Sequence, residues 1–526
     1  MTSESTEFEI ARLSLGDFSD LNTHFEERSR RFAALPALTA SDQTITFATL
    51  DSQSRNFAAH LQSLTGINAG DRVAVMMNNC IEYAVAAWGV LRAGMVLVNI
   101  NPMYTQRELV ELLVDSEAKV LLTERGCSEK VSSILDRTRI EHIYLKPDEA
   151  TRVPAAETAF QALDLRDALN FQGPYTRPII TGESLAMLQY TGGTTGLIKG
   201  AMLSHANLLA NSLQSWLALE NIREAQEIVI VPLPLYHIYA FGWGLLVFLM
   251  HGCHIVLTED PRQTDRLIDA MKRFPFTCFF GLNSLFVSLL QNPRLSSVDF
   301  SAVHITLSGG APLSMEIAQR WESKTGCKVY EGYGLTEASP VVSVNTPRQR
   351  KLGTVGRPVP ATELRLIDND GGDCPPGMEG ELCVRGPQIM QGYWRQEQET
   401  KKVLSVDGWL RTGDIASIDA DGFIKILDRK KDVVIVSGFN VYPTEIDQVA
   451  SHHPDVLECA ALGVADDKSG QSLTLFVVSK RPDLEESELK AFCRERLAAY
   501  KVPKRIVFVD ALPKSPVGKI LRRKLQ

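Results

Sequence analysis

The sequence predicts an α/β protein with a large N-terminal domain of layered α/β subdomains, a β-rich subdomain and a small α+β C-terminal domain. Three observations support this prediction. A chain of 526 residues is too long for one compact core. Short apolar runs alternate with segments whose apolar residues recur at helical spacing, which predicts largely parallel sheets covered by helices. Beyond a charged segment, about a hundred further residues contain strands and a helix of their own.

The alternation begins near residue 70 and occurs in two series. The first series of predicted strands is RVAVMM, MVLVNI, AKVLLT and HIYL, and CIEYAVAAWGVLRAG is a helix between two of them. The second series is EIVIV, CHIVLT, FTCFF and HITLSGG. Turn signals then separate the shorter strands TELRLID, GELCVRG and GFIKILD, which predict the β-rich subdomain.

The charged segment DRKKD, residues 428–432, marks the predicted domain boundary. We expect an N-terminal domain over 1–427 and a C-terminal domain over 428–526. The C-terminal part has the strand-like runs VLECAALGV, SLTLFVVSK and RIVFV, and the helical segment EESELKAFCRERLAAY. This is enough for a small independent domain.

Composition excludes several classes of function. The net charge of -8 argues against a nucleic-acid binder, which needs a basic face. Nine cysteines without a C-x-x-C pair indicate neither a disulfide framework nor a thiolate zinc site, so we expect a cytoplasmic protein. The N-terminal MTSESTEFEI lacks the order of a signal peptide. The uncharged segment 228–250 is long enough to span a bilayer, but Pro232, Pro234 and His237 interrupt it, which favours a buried strand, a loop and a buried helix.

The first chemically informative cluster is YTGGTTGLIKGAMLSH, residues 190–205. Glycines bring backbone close to a ligand, and hydroxyls with one cation suit a string of phosphate oxygens. It is not a Walker A motif, because Lys199 is followed by Gly200 rather than by Ser or Thr. A surface loop without a ligand is the structural alternative.

Three further clusters follow. In YEGYGLTE, residues 330–337, an aromatic ring beside glycines can stack on a base, and Glu337 offers the oxygen that Mg²⁺ prefers, although a turn with a capping pair explains the pattern as well. In DGWLRTGD, residues 407–414, Asp414 can accept two sugar hydroxyls, or the stretch is only a hairpin turn. PKSPVGKI, residues 513–520, has the composition of a solvated basic tail.

In this order and spacing, the four clusters resemble those of the adenylate-forming enzymes, which include acyl-CoA synthetases, beetle luciferases and the adenylation domains of peptide synthetases. Residues 407–431 are similar to the signature stretch of fatty-acyl-CoA synthetases, and NPMYTQREL and LPLYHIYA resemble bacterial long-chain fatty acid–CoA ligases. The resemblance covers nearly the whole chain. It implies that a carboxylate attacks the α-phosphate of ATP to give acyl-adenylate and pyrophosphate, and that CoA then displaces AMP.

The resemblance also implies roles for individual residues. The hydroxyls of Thr191, Thr194 and Thr195 and the cation Lys199 would hold the β- and γ-phosphates. Tyr333 would stack on the adenine, with Gly309, Gly310 and Ala311 along its edge, and Asp414 would accept the ribose hydroxyls, aided by Arg429. Further residues of the nucleotide site would be Gly192, Gly193, Gly196, Glu331, Gly332, Gly334 and Ile426. Thr336 would touch the α-phosphate, Glu337 would bind Mg²⁺, and His237 would lie near the acyl carboxylate.

The C-terminal domain would rotate between the two half-reactions about a hinge at Asp428. Lys519 would neutralise the negative charge of the transition state of adenylation, because that step needs stabilisation by a positive charge. After rotation, Gly438 would line the tunnel for the pantetheine arm of CoA. The CoA phosphates would meet Lys430, Lys431 or Lys501.

The leading interpretation is therefore a fatty acid–CoA ligase that uses ATP, Mg²⁺ and CoA. Rival interpretations are a ligase for an aromatic or short carboxylate, an acyl-AMP ligase that loads a carrier protein, and a non-catalytic nucleotide-binding protein. The apolar run FFGLNSLFVSLL, residues 279–290, is either an acyl tunnel or core. A homodimer and a peripheral contact with the inner face of a membrane stay open.

Overall fold

The computed structural model describes residues 20–146, 162–191, 198–260, 262–437, 439–466, 469–515 and 520–525. Its α-helices are α1 (Leu21–Arg31), α2 (Phe47–Ser63), α3 (Ile81–Arg92), α4 (Gln106–Ser116), α5 (Ser128–Ser132), α6 (Leu165–Leu169), α7 (His205–Ala218), α8 (Thr264–Arg273), α9 (Asn283–Gln291), α10 (Met315–Thr325), α11 (Glu397–Val403), α12 (Pro443–Ser451) and α13 (Glu486–Arg494).

The strands in chain order are β1 (Pro36–Ala40), β2 (Gln43–Thr46), β3 (Arg72–Met76), β4 (Val96–Asn99), β5 (Val120–Glu124), β6 (His142–Lys146), β7 (Leu163–Asp164), β8 (Leu185–Thr191), β9 (Lys199–Ser204), β10 (Ile228–Val231), β11 (His254–Leu257), β12 (Cys278–Gly281), β13 (Ile305–Ser308), β14 (Val329–Gly334), β15 (Val341–Val344), β16 (Arg357–Pro358), β17 (Glu363–Ile367), β18 (Gly380–Arg385), β19 (Leu410–Ile418), β20 (Ile424–Arg429), β21 (Val434–Val436), β22 (Phe439–Val441), β23 (Val456–Asp466), β24 (Gly470–Ser479) and β25 (Arg505–Phe508).

Two large sheets form the layered α/β part of the molecule. One has seven strands in the order β7-β6-β5-β3-β4-β8-β9, and the other has nine in the order β16-β15-β14-β13-β12-β10-β11-β1-β2. The central strands of both are parallel, and antiparallel pairs occur at the edges. Strands such as β4 and β12 are buried along their whole length, as expected where both faces of a parallel sheet are covered.

The run at 279–290 belongs to the core. Successive side chains of β12 point to opposite faces of the sheet, so Phe279 stacks on Trp321 with ring centroids 5.8 Å apart, while Phe280 meets Trp243 at 6.4 Å. Phe286 packs edge-on against Trp321 at 4.9 Å. Of the two interpretations of this run, core packing is the one that these contacts support.

The uncharged segment 228–250 also folds inside the protein. It forms β10, a short connection and then a buried π-helical segment, Tyr239–Val247, as the sequence predicts. Every helix in the described ranges is either too short or too polar to cross a lipid bilayer.

Two smaller antiparallel sheets follow. The first has the order β17-β18-β19-β20, and the second has the order β22-β21-β24-β23 with β25 parallel to β24. The second sheet has a hydrophobic core of its own, built from residues such as Val441, Ile446, Leu475 and Leu489. An independent core beyond residue 432 agrees with a separate C-terminal domain, whose boundary at 427/428 stays a prediction.

The predicted hinge residue is held more firmly than a charged linker suggests. Asp428 lies in β20 and is only 4% exposed. Its Oδ2 accepts a hydrogen bond from the backbone N of Thr444 at 2.8 Å, and Arg522 approaches Oδ1 at 3.7 Å while pairing with Asp447. A rotation about this residue would therefore break contacts to helix α12 and to Arg522, which lies in the 3₁₀ helix Arg522–Lys524.

Candidate active site

The predicted nucleoside end of the site comprises Tyr333, Asp414 and Arg429, which lie on strands that are far apart in sequence. The hydroxyl of Tyr333, on β14, donates to Oδ2 of Asp414, on β19, at 2.5 Å. Nε of Arg429, on β20, lies 2.7 Å from Oδ1 of the same carboxylate. Asp414 and Arg429 face each other across the β19–β20 pair, so the sheet register fixes this contact.

Burial governs the electrostatics here. The Asp414 side chain is 4% exposed and that of Arg429 is 42% exposed. Burial, and then the neighbouring Asp414 carboxylate, raise the pKa of Tyr333 well above its usual value, so its hydroxyl remains a hydrogen-bond donor. The ring and the carboxylate are thus fixed relative to each other, which suits a base and its attached sugar.

The predicted phosphate end of the site, around Glu337 and Lys199, contains a residue that the sequence did not indicate. The hydroxyl of Tyr393 donates to Oε1 of Glu337 at 2.7 Å. The same ring lies below the ammonium group of Lys199, whose Nζ is 5.1 Å from the ring centroid, a cation–π distance. Nζ of Lys199 is also 2.5 Å from Oε2 of Glu399. Tyr393 therefore contacts both the predicted metal ligand, Glu337, and the predicted phosphate-binding lysine, Lys199.

Tyr393 is positioned by main-chain bonds on both sides. The N of Met390 donates to the O of Glu337 at 2.9 Å, and the N of Trp394 donates to the O of Gly200 at 2.8 Å. The segment 390–394 thus runs between the short 3₁₀ helix Thr336–Ala338 and strand β9. The motif MQGYW was visible in the sequence, but nothing local indicated these partners.

Strands β8 and β9 carry the two ends of the glycine-rich loop. Thr191 pairs with Lys199 in the antiparallel register, and its Oγ1 lies 3.4 Å from the O of Lys199. Helix α7 follows β9 directly, where the Ser204 hydroxyl and the Asn207 side chain form a capping box. The predicted ligands Gly192, Gly193, Thr194, Thr195 and Gly196 lie outside the described residues, as do Gly438 and Lys519.

The predicted adenine residues lie at the carboxyl ends of β13 and β14, where α/β sheets place ligands. Gly309 and Gly310 follow β13, and Ala311 comes next. Gly332, in β14, is paired with Val344 of β15. A Cβ on Gly334 would lie 2.1 Å from the O of Pro340, so this position excludes any side chain. A Cβ on Gly309 would be 3.1 Å from the ring of Tyr239, which packs on the glycine.

Glu331 is a carboxyl with a structural partner. Its Oε1 accepts a hydrogen bond from the N of Leu313 at 2.9 Å, which ties β14 to the segment after Gly310. Desolvation by the surrounding protein raises the pKa of Glu331 to about 8, so the group is largely protonated at neutral pH.

His237 and Ile426 both have contacts within the fold. Nδ1 of His237 accepts a hydrogen bond from the N of Tyr239 at 3.2 Å, and this histidine lies two residues before the π-helical segment. Ile426 pairs with Ala416 and packs on the main core.

The three lysines proposed for the CoA phosphates differ in their surroundings. Lys430 pairs with Glu381 at 3.0 Å, and Lys501 pairs with Glu445 at 2.7 Å. Burial lowers the pKa of Lys431.

Glu337 fits a magnesium ligand. It is a carboxylate, and within the described ranges Tyr393 bonds only to Oε1, which leaves Oε2 for a cation. Phosphate oxygens and waters would supply the other ligands of the ion.

Comparison with known proteins gives consistent matches over nearly the whole chain. The family model for "AMP-binding enzyme" matches residues 25–394, and that for "AMP-binding enzyme C-terminal domain" matches residues 445–519. The chain is 43% identical to the long-chain-fatty-acid–CoA ligase of Escherichia coli O6:H1, over 97% of this chain and 94% of that protein.

Solved structures agree in fold. The anthranilate CoA ligase AuaEII in complex with anthranoyl-AMP superposes with a TM-score of 0.89 at 25% identity, covering 97% of this chain and 98% of the other. ATP-bound MatB from Rhodopseudomonas palustris superposes with a TM-score of 0.85 at 30% identity, covering 96% and 98%.

Proposed function

Because the chain belongs to the AMP-binding enzyme family, we propose that it is an ATP-dependent fatty acid–CoA ligase for medium- or long-chain acids. The fatty acid carboxylate attacks the α-phosphorus of ATP and expels pyrophosphate, which gives acyl-AMP. The CoA thiol loses its proton, attacks the acyl carbon and expels AMP, which gives the thioester. Adenylation is needed because a carboxylate would otherwise have to expel oxide.

The observation that carries the nucleotide part of this proposal is the meeting of two networks on one short segment. Tyr333 donates to Asp414, which also pairs with Arg429, and four residues after Tyr333, Glu337 contacts Tyr393 and, through that ring, Lys199. In a nucleoside triphosphate, the base, the sugar and the phosphates follow one another in the same order as these two networks. The choice of a fatty acid is supported by the full-length similarity to long-chain-fatty-acid–CoA ligases.

In the first step, the protein's main task is electrostatic. Carboxylate and triphosphate repel each other, so cations and donors around the phosphates lower the barrier. We assign Lys199 to the β- and γ-phosphates, Thr336 to the α-phosphate and Lys519 to the charge that develops at the transition state. Asp414 accepts the ribose hydroxyls while Arg429 balances its charge, and Tyr333 covers the adenine. His237 orients the acyl carboxylate.

Magnesium, when bound, neutralises phosphate charge and helps to align the triphosphate. We assign it to Glu337. Tyr393 holds that carboxylate by its Oε1, so the other oxygen keeps a fixed direction.

In the second step, we propose that residues 428–526 turn about Asp428. This movement withdraws Lys519 and brings Gly438 to a tunnel for the pantetheine arm. Lys430, Lys431 and Lys501 remain candidates for the CoA phosphates, although Lys430 and Lys501 would first have to leave their carboxylate partners.

The test is AMP release by the purified chain from Mg·ATP with a C16 fatty acid, with and without CoA. We expect sustained release only when both are present. Release with benzoate or a short acid instead would replace the fatty acid by another carboxylate, and sustained release only with an acyl carrier protein would replace CoA. No AMP release with any acid or acceptor would contradict a ligase.

We further propose that the protein acts in the cytoplasm, with a homodimer and a membrane-surface contact as two separate hypotheses. Light scattering after size exclusion tests the first, with twice the chain mass expected for a dimer. Co-sedimentation with anionic lipid vesicles tests the second, and a protein that stays in the supernatant would contradict it.

A further inference from the structure

The phosphate end of the site holds a carboxylate to which the proposed reaction assigns no role. Glu399 lies on α11, and its Oε2 is 2.5 Å from Nζ of Lys199. Its Oε1 pairs with Lys402, one turn along the same helix. The charge of Lys199 is thus already matched by a protein group.

A carboxylate oxygen resembles a terminal phosphate oxygen to an ammonium group. Both are anionic acceptors, and both form short charge-assisted hydrogen bonds with lysine. The Lys199 ammonium group also lies over the face of Tyr393, which attracts a cation but accepts no ordinary hydrogen bond. Glu399 and a bound triphosphate would therefore compete for the same donors.

We propose that Glu399 occupies the place of a β- or γ-phosphate oxygen on Lys199, and that ATP must displace it. Glu399 then acts through Lys199 and sets the affinity of the site for a triphosphate. This inference rests on the proposed function, because it takes Lys199 as the ligand of these phosphates.

The pair is suited to exchange. The side chains of Lys199 and Glu399 are 15% and 24% exposed, so water can replace each partner, and such pairs are weak. Lys402 stays beside Glu399 and balances its charge after Lys199 leaves. Hydrogen bonds from Lys199 and Lys402 lower the pKa of Glu399 to about 2, so the carboxylate is ionised and competes throughout the neutral range.

A matched control lies on the same helix. Glu397 carries the same charge and pairs with Lys401, at 2.6 Å, rather than with Lys199. Glu397→Gln removes one negative charge from α11 exactly as Glu399→Gln does, but leaves the Lys199 pair intact. AMP supplies a second control, because it has no β- or γ-phosphate.

The experiment is calorimetric titration of the full chain with ATP and with AMP, in Mg²⁺ and without fatty acid. For Glu399→Gln we expect about two- to fivefold tighter ATP binding than wild type, the range for a weak ion pair. AMP affinity should not change, and Glu397→Gln should match wild type with both nucleotides. Glu399→Ala, which removes the remaining amide acceptor, should bind ATP at least as tightly as the Gln variant.

Three results would overturn the inference. Unchanged ATP affinity in both Glu399 variants would mean no competition, and weaker ATP binding would mean that Glu399 orients Lys199 for the phosphate. Equal tightening for AMP, or for Glu397→Gln, would indicate a general charge effect. Failure of the proposed function is distinguishable, because the AMP-release assay tests the acid and the acceptor, whereas these titrations contain neither. A wild-type chain that binds neither ATP nor AMP would contradict the nucleotide site itself.

Discussion

The two ends of the site each contain a carboxylate paired with a cation, but the two pairs differ in their surroundings. At the nucleoside end, Asp414 is almost fully buried and is fixed by sheet register against Arg429. At the phosphate end, Glu399 is partly exposed and meets Lys199 through two long side chains. We therefore expect the first pair to stay closed as a rigid part of the proposed nucleotide site, and the second to open when a ligand offers Lys199 a better partner.

Breaking the rigid pair should have the largest effect. Asp414→Asn keeps the shape but removes the charge that Arg429 and Tyr333 contact, so we expect AMP affinity to fall by about tenfold to a hundredfold. Calorimetric titration with AMP measures this change in affinity. Asp407→Asn is the control, because Asp407 lies in the same motif, is exposed and accepts a hydrogen bond from the nearby Ser405 hydroxyl, so this variant should bind AMP normally. Normal AMP binding by Asp414→Asn would contradict the assignment of Asp414 to the ribose.

The link between the two ends is Tyr393, and its hydroxyl can be removed alone. Tyr393→Phe keeps the ring under Lys199 but frees Glu337, so the Mg²⁺ concentration that half-saturates ATP binding should rise by about three- to tenfold. Calorimetric titrations at stepped Mg²⁺ concentrations measure this shift. Tyr144→Phe, which removes a hydroxyl bonded to His60, should leave it unchanged. An unaltered Mg²⁺ dependence in Tyr393→Phe would exclude a positioning role.

The smallest expected effect concerns a third carboxyl, Glu331, whose pKa is shifted in the opposite direction from that of Glu399. A folded-state pKa raised to about 8 means that the native state holds a proton which the unfolded chain releases near pH 4.5. Stability is therefore lost as pH rises from about 4.5 to 8.

Glu331→Gln keeps an acceptor for the N of Leu313 but cannot ionise. We expect its melting temperature to equal that of wild type near pH 5 and to exceed it by a few degrees above pH 8. Thermal unfolding across this pH range measures the difference. A constant difference at every pH would show that Glu331 does not titrate in the folded protein.

The sequence predicted the fold class and the family correctly, because both rest on local patterns. Alternating apolar runs located strands such as β3 and β12. The match to AMP-binding enzymes confirms the resemblance read from four short motifs. The roles of the individual site residues stay predictions.

What the sequence could not indicate are contacts between distant segments. Tyr393 meets Glu337 across 56 positions, and Glu399 meets Lys199 across 200. No periodicity links such residues, since tertiary packing alone brings α11 and segment 390–394 to β9. The same reason explains Asp428, which looked like part of a charged linker and is a buried hydrogen-bond acceptor.

The most direct test of the central claim, activation of a fatty acid through acyl-AMP, is isotope exchange between pyrophosphate and ATP. The purified chain is incubated with Mg·ATP, labelled pyrophosphate and a C16 fatty acid in the absence of CoA. We predict label in ATP that depends on the fatty acid and needs no CoA, because the first step is reversible and independent of the second. No exchange without CoA, in a protein that binds ATP and makes acyl-CoA, would contradict an acyl-AMP intermediate.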